Sequence, residues 1–221
     1  MTFSLIARCP ASGQFGAVTA TSNIAVGARV VHCAAGVGAV LTQHRTDPRL
    51  GPRGLALLRS GCSAQQTVDA LVASTPHAHW RQVAAVDPAG RSAAFSGART
   101  RPEMSEAAAE NVCAVGNILA SALVPPAMVR QFQRQPTAPL AERLMCALEE
   151  GLAAGGEQTP VRSAHLLVVE HESFPLVDLR VDWHDHPIAE LRALWNRYAA
   201  EMGLYMLRAL DPDNPACTSA P

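Results

Sequence analysis

The chain has 221 residues, of which 48% are hydrophobic. That suits one large domain with a substantial core. Its net charge of -1 and pI near 6.7 speak against a partner chosen by bulk electrostatics, so neither nucleic acid nor an anionic membrane is expected. All 18 basic residues are arginines, which removes the internal Schiff base of pyridoxal phosphate enzymes, the Walker A lysine and the kinase-type lysine. Arginine still pairs carboxylates and phosphates in a bidentate fork, so an anionic small molecule remains a suitable ligand. No other cofactor is called for.

Residues 2–8 alternate Thr2, Ser4, Ile6 and Arg8 with Phe3, Leu5 and Ala7, the period of a strand with one buried face. A loop at Pro10, Ser12 and Gly13 precedes a second run over residues 15–22, and together they predict a hairpin. Residues 28–33 and 37–43 read as two further strands joined through Gly36. Gly36 and Gly38 lack the spacing of a dinucleotide fingerprint. Helices are expected at 53–60, stopped by Gly61, and from the cap Ser63 to Pro76.

A second hairpin is predicted at 82–96 around Asp87-Pro88-Ala89-Gly90. Residues 100–110, polar and alanine-rich, read as a short helix or a loop over a cleft. A short strand at 111–117 leads to a helix restarted by Pro125 and Pro126. A clearer helix spans 139–152, with Leu140, Leu144, Met145 and Leu148 on one face and Gly155-Gly156 behind it. Strands at 165–170 and 176–182 precede a closing helix at 188–207. In that helix Leu191, Leu194, Trp195, Tyr198 and Met202 form a stripe suited to a homodimer face or to the chain's own core. The reading is one domain over 1–210 and a flexible tail over 211–221.

Six scattered cysteines without CxxC spacing read as free thiols. The apolar run at 24–41 is interrupted by Arg29, His32 and glycines, so it is not a membrane span. The N-terminal segment has no secretory pattern, which makes the cytoplasm the expected location. The alternation of strands and helices, with hairpins joining neighbours, predicts an antiparallel α+β layered fold.

Taken end to end, the segments TFSLIAR, GARVVHCAAGVGAVLTQ, GPRGLALLRSG, QVAAVDPAGRSAAFSG, VGNILA, PLAERLMCALEEGLAAGG, SAHLLVV and VDLRVDWHDHPIAELR resemble the bacterial domain of unknown function 1028. That family is placed in the N-terminal nucleophile hydrolase superfamily. The resemblance implies a four-layer αββα sandwich of two antiparallel sheets, with the N-terminal residue at a cleft between them. It also implies hydrolysis of an amide bond by an N-terminal Thr, Ser or Cys. The chain departs from the family pattern at Val115-Gly116-Asn117, where QGN is expected, and at residues 160–164, where RGxQSA is expected. The expected Trp-Ala-Gly-His segment after Gly97 is absent as well.

Thr2 is the catalytic candidate, because removal of Met1 before a small residue leaves a free N-terminal threonine whose α-amine, with a reference pKa of about 7.7 to 8.0, serves as its base. Thr21, Ser22 and Asn23 at the end of the second strand are candidates to orient the amine or touch a small-molecule substrate. Gln43 and Asn117 are candidate donors to an oxyanion or substrate carbonyl. A degenerate site that binds a small ligand or partner without hydrolysis is the alternative. A third reading places a metal at Asp182, His184 and His186, although Asp185 or His186 with Pro187 equally suits the start of the closing helix.

Overall fold

The computed structural model describes residues 1–100 and 102–217. Ten strands form two antiparallel sheets. The first contains β1 (Thr2–Arg8), β2 (Phe15–Thr21), β7 (Met104–Ala109), β8 (Val112–Asn117), β9 (Ser163–Val169) and β10 (Val177–Val181), in the order β10-β9-β2-β1-β8-β7. The second contains β3 (Val31–Ala34), β4 (Gly38–Gln43), β5 (Gln82–Val86) and β6 (Ser92–Ser96), in sequence order. The hairpin at the chain start pairs Phe3 with Ala20 and Arg8 with Phe15, as its alternation predicts.

The alternation also sorts residues into layers. Phe3 and Leu5 of β1 join Val18 and Leu166 under α3 (Val124–Gln133), α4 (Leu140–Ala153) and α5 (Pro187–Leu210). Ile6, on the opposite face, meets Phe15, Leu41 and Val86 between the sheets. Val40, Val83 and Ala85 face α1 (Leu50–Arg59) and α2 (Ala64–Ala73) on the far side. Helices therefore flank two packed sheets in the expected αββα order. Each fully buried Leu or Phe in these layers contributes about 1.5–3 kcal/mol. α4 approaches β2 closely at Gly16, where a Cβ would stand 2.6 Å from Leu144 Cδ1.

Several boundaries differ from the sequence reading. α1 begins at Leu50 rather than 53, because Pro52 falls in the first turn, where no N–H is needed. Residues 28–33 are not one strand: a 3-10 turn (Val26–Ala28) occupies the start, and pairing begins only at Val31. Residues 100–110 are neither helix nor loop throughout, since Met104–Ala109 pairs with β8 as the edge strand β7. Residue 101 lies outside the described residues. Ser63 and Gln66 form a full capping box at α2, and Asp87 Oδ2 accepts the Ala64 N–H at 3.0 Å, tying the second hairpin turn to that helix.

The α5 stripe is spent largely on the chain's own sheet: Leu191 and Trp195 are buried, and Leu194, Tyr198 and Met202 pack partly buried against the same cluster. All six cysteines are free. No helix among the described residues is long and apolar enough to cross a membrane. Residues 211–217 carry a short 3-10 turn (Pro215–Cys217), and the rest of the expected tail, 218–221, lies outside the described residues.

Candidate active site at the head of the first strand

The gap between the sheets is apolar at one end and polar at the other. Each strand contributes its inward-facing positions: Ile6 is succeeded toward the chain start by Ser4 and Thr2, Ala17 by Thr19 and Thr21, Leu41 by Gln43, Ala84 by Gln82, and Val115 by Asn117. Register brings them level, with Thr2 opposite Asn117 and Gln43 opposite Gln82.

These side chains form a buried ladder. Ser4 Oγ donates to Gln43 Oε1 at 2.7 Å and stands 2.7 Å from Thr19 Oγ1. Gln43 Nε2 donates to Gln82 Oε1 at 2.7 Å and reaches the Thr2 carbonyl at 3.4 Å. Asn117 Nδ2 donates to the same Gln82 oxygen at 2.9 Å. Gln82 Nε2 in turn donates to the Gly116 carbonyl at 3.0 Å and to Ser96 Oγ at 2.8 Å. Gln82 is thus the hub, and the sequence reading treated it only as a strand residue. Asn117 Oδ1 is buried with no hydrogen-bond partner among the described residues.

Above the ladder lies a cleft of about 410 Å³ lined by residues that include Met1, Thr2, Thr21, Asn23, Arg29, His44, Arg45 and Ile118. Thr2 is 6% exposed, and its hydroxyl stands 3.4 Å from Thr21 Oγ1. Both threonine hydroxyls donate to the Met1 carbonyl. The Ser22 N–H donates to Glu157 Oε2 at 3.0 Å, and the Ser22 hydroxyl lies near the same carboxyl. Asn23 lines the cleft with its side chain exposed. The predicted residues Thr2, Thr21, Ser22, Asn23, Gln43 and Asn117 therefore converge, with the last two beneath the cleft rather than in its wall.

Glu157 was not foreseen. It follows the Gly155-Gly156 helix stop and pairs by a single antiparallel bridge with Leu119, which carries its carboxyl to the Thr21–Ser22 strand end. It is 7% exposed, and its Oε1 has no hydrogen-bond partner among the described residues. Burial is the main influence raising its pKa to about 7, opposed by the Ser22 hydrogen bonds, the N-terminal amine and the Thr21 hydroxyl. Burial likewise lowers the amine of Met1, with Glu157 pulling it up and Arg45 pushing it down.

The rim is strained. His44, Arg45 and Ile118 all have φ near +50°, and so does Ala25, next to the lining residue Val26. Trp80 braces the His44–Arg45 pair: it stacks on the His44 ring with centroids 5.9 Å apart, and its carbonyl lies 2.9 Å from His44 Nδ1. The Arg45 guanidinium sits 5.1 Å from the Trp80 ring centroid.

The three metal candidates do not form a ligand set. Asp182, His184 and His186 are exposed, the two rings stand edge to face at 6.4 Å, and the His186 N–H donates to His184 Nδ1 at 3.1 Å. Among the described residues no group of three His, Cys, Asp or Glu side chains is placed to hold a metal ion. The segment serves instead as the entry to α5, with Pro187 in its first turn.

The model of the family of unknown function DUF1028 matches residues 2–191. The chain belongs to that family. A crystal structure of the DUF1028 protein SPO2555 from Silicibacter pomeroyi is similar at 30% identity and a TM-score of 0.82, covering 89% of this chain and 88% of that one. Two structures of Anbu (ancestral beta-subunit) are similar at much lower scores. The protein from Yersinia bercovieri has 12% identity and a TM-score of 0.40, covering 90% of this chain and 96% of that one. The Gly-1 mutant from Hyphomicrobium sp. strain MC1 has 11% identity and a TM-score of 0.43, covering 91% and 96%. No curated protein matches this DUF1028 chain.

Proposed function

We propose that the chain is an N-terminal threonine hydrolase of a small amide-type substrate, active once Met1 has been removed. The observation that carries the reading is the place of Thr2: it heads the inner strand β1, faces the gap between the sheets and lines the 410 Å³ cleft. Loss of Met1 converts the Thr2 nitrogen into an α-amine on the same residue as the hydroxyl, within the distance a general base needs. Oγ1 attacks the substrate carbonyl, the amine receives the hydroxyl proton and returns it to the leaving nitrogen, and water releases the acyl group.

Arg29 and Arg45 in the lining favour a substrate that carries a carboxylate. A second reading, binding without hydrolysis, is favoured by one feature: the Gln43 amide and one Asn117 donor are committed to Gln82. Intact mass of protein purified from its native host tests the proposal. The expected mass lacks Met1, and a β-lactone acylates the wild type but not Thr2→Ala. Retention of Met1 overturns the hydrolase reading and leaves the cleft as a binding site.

A further inference from the structure

We propose that Glu157 is a second proton acceptor for the Thr2 centre, acting through the Thr21 hydroxyl. The inference rests on the N-terminal threonine reading and adds to it a side-chain proton acceptor beside the α-amine.

Geometry carries it. The Glu157 carboxyl is tied at one oxygen to the Ser22 N–H, while the other oxygen is buried without a donor. Beside it lies the Thr21 hydroxyl, which stands 3.4 Å from Thr2 Oγ1 and now gives its proton to the Met1 carbonyl. When Met1 leaves, the Thr21 hydroxyl loses the carbonyl it now donates to and lies beside a carboxyl whose Oε1 has no hydrogen-bond partner among the described residues. Backbone hydrogen bonds tie the segment down on both sides of Glu157. Ala120 N–H donates to the Gly156 carbonyl at 3.1 Å, and Gln158 N–H to the Ile118 carbonyl at 3.3 Å, on either side of Glu157.

A structural role alone is poorly served by such a group, because a buried carboxylate oxygen with no donor is destabilising and an apolar side chain would pack there without that cost. The charges around it are few: the N-terminal amine, and Arg45, which acts on that amine and on His44. Burial brings the carboxyl to about 7, where it can take up a proton near neutrality.

The step balances as follows. With this relay taking the proton in place of the Thr2 amine, Thr2 Oγ1 forms a bond to the substrate carbonyl carbon as its proton passes to Thr21 Oγ1, and the Thr21 proton passes to ionised Glu157. Collapse of the tetrahedral intermediate breaks the carbon–nitrogen bond, and the proton returns along the same path to the leaving nitrogen. Water then repeats the sequence on the acyl ester.

The test uses full-length protein shown by mass to begin at Thr2. Acylation of Thr2 by a small β-lactone is followed by intact mass from about pH 5 to 9 for the wild type, Glu157→Gln, Glu157→Asp and Thr21→Val. The wild-type rate is expected to rise through an inflection near neutrality. Glu157→Gln is expected to slow acylation at neutral pH about 100-fold and to remove that inflection. Glu157→Asp should keep the inflection, and Thr21→Val should match Glu157→Gln. Should Glu157→Gln fail to fold, Thr21→Val, which removes only the linking hydroxyl, carries the same expectation.

Wild-type rates and an intact inflection in Glu157→Gln or Thr21→Val overturn the role of Glu157 and leave Thr2 as nucleophile. A wild-type protein that begins at Thr2 and is not acylated at any pH overturns the hydrolase reading itself, and the inference with it.

Discussion

Replacing Gln82 with leucine isolates the contribution of the polar ladder, because the two side chains have similar volume and no large cavity is left. Gln82 is 0% exposed and makes four hydrogen bonds, two accepted by Oε1 and two donated by Nε2. Ser96 lies at a partly exposed position and keeps Glu106 within reach, so its loss is small. The Gln43 and Asn117 amides are buried, and each loses its Gln82 acceptor, Gln43 Nε2 keeping only the Thr2 carbonyl at 3.4 Å. At about 1–3 kcal/mol for each orphaned buried donor, Gln82→Leu should cost about 2–6 kcal/mol. For a chain of this length that corresponds to roughly 4–24 °C in melting temperature. Urea and thermal unfolding followed by circular dichroism measure it. A loss below about 1 kcal/mol would refute the argument, since it would mean that the ladder amides find other partners without Gln82.

Three further outcomes are expected. Gly38 has φ +144°, and a Cβ there would stand 2.5 Å from the Val86 carbonyl oxygen, so Gly38→Ala should lower stability by about 2–4 kcal/mol in the same unfolding assays. Glu157 has a folded pKa raised to about 7 from 4.5, so the folded state binds its proton more tightly, and that stabilisation, full below about pH 4.5, is lost as pH rises through about 7. Relative to wild type, Glu157→Gln should therefore gain about 2–3 kcal/mol in urea unfolding between pH 4.5 and 8, and parallel pH profiles would sink the assignment. Trp80→Ala removes the stacking surface for Arg45, Arg99 and His44, so it should cost about 1–2 kcal/mol and raise KM several-fold with kcat little changed.

The layers were legible because their signal is periodic. Phe3, Leu5 and Ala7 on one parity and Ile6 on the other determine which face of β1 meets helices and which meets the second sheet. Edge strand β7 was not legible: Met104–Ala109 is alanine-rich with partly exposed positions, and its strand form comes from pairing with β8 rather than from local preference. The candidate site was readable where a residue's own chemistry announces it, as at Thr2, and at strand ends such as Thr21 and Asn117. Gln82 and Glu157 were hidden for different reasons. Gln82 belongs to an alternating strand in which only the pairing partner shows that its face is buried. Glu157 follows a helix stop, where an acid normally reads as solvated, and only the bridge to Leu119 turns it inward. A sequence signal did exist for the ladder: Ser4, Thr19, Gln43 and Asn117 each break an inward-facing apolar series at the same end of neighbouring strands.

The costs in this fold are not evenly spread, and their distribution bears on function. Among the described non-glycine residues with left-handed φ, Asn111 sits at a hairpin tip, where asparagine tolerates that conformation. The others, Ala25, His44, Arg45 and Ile118, surround the Thr2 cleft, each at a cost of about 1–3 kcal/mol, and Ile118 is β-branched, the least tolerant type. The unpartnered Asn117 Oδ1 and Glu157 Oε1 lie at the same end of the gap. Backbone strain has no reason to gather where the chain needs only to pack, and the far end of the gap, with Ile6, Phe15 and Val86, shows how it packs when nothing else is required. The apolar layers on both sides supply the stability that keeps Ile118 and Glu157 in these conformations. What they hold in place is a threonine and a second hydroxyl in the wall of one cleft, with a buried carboxyl beside the second.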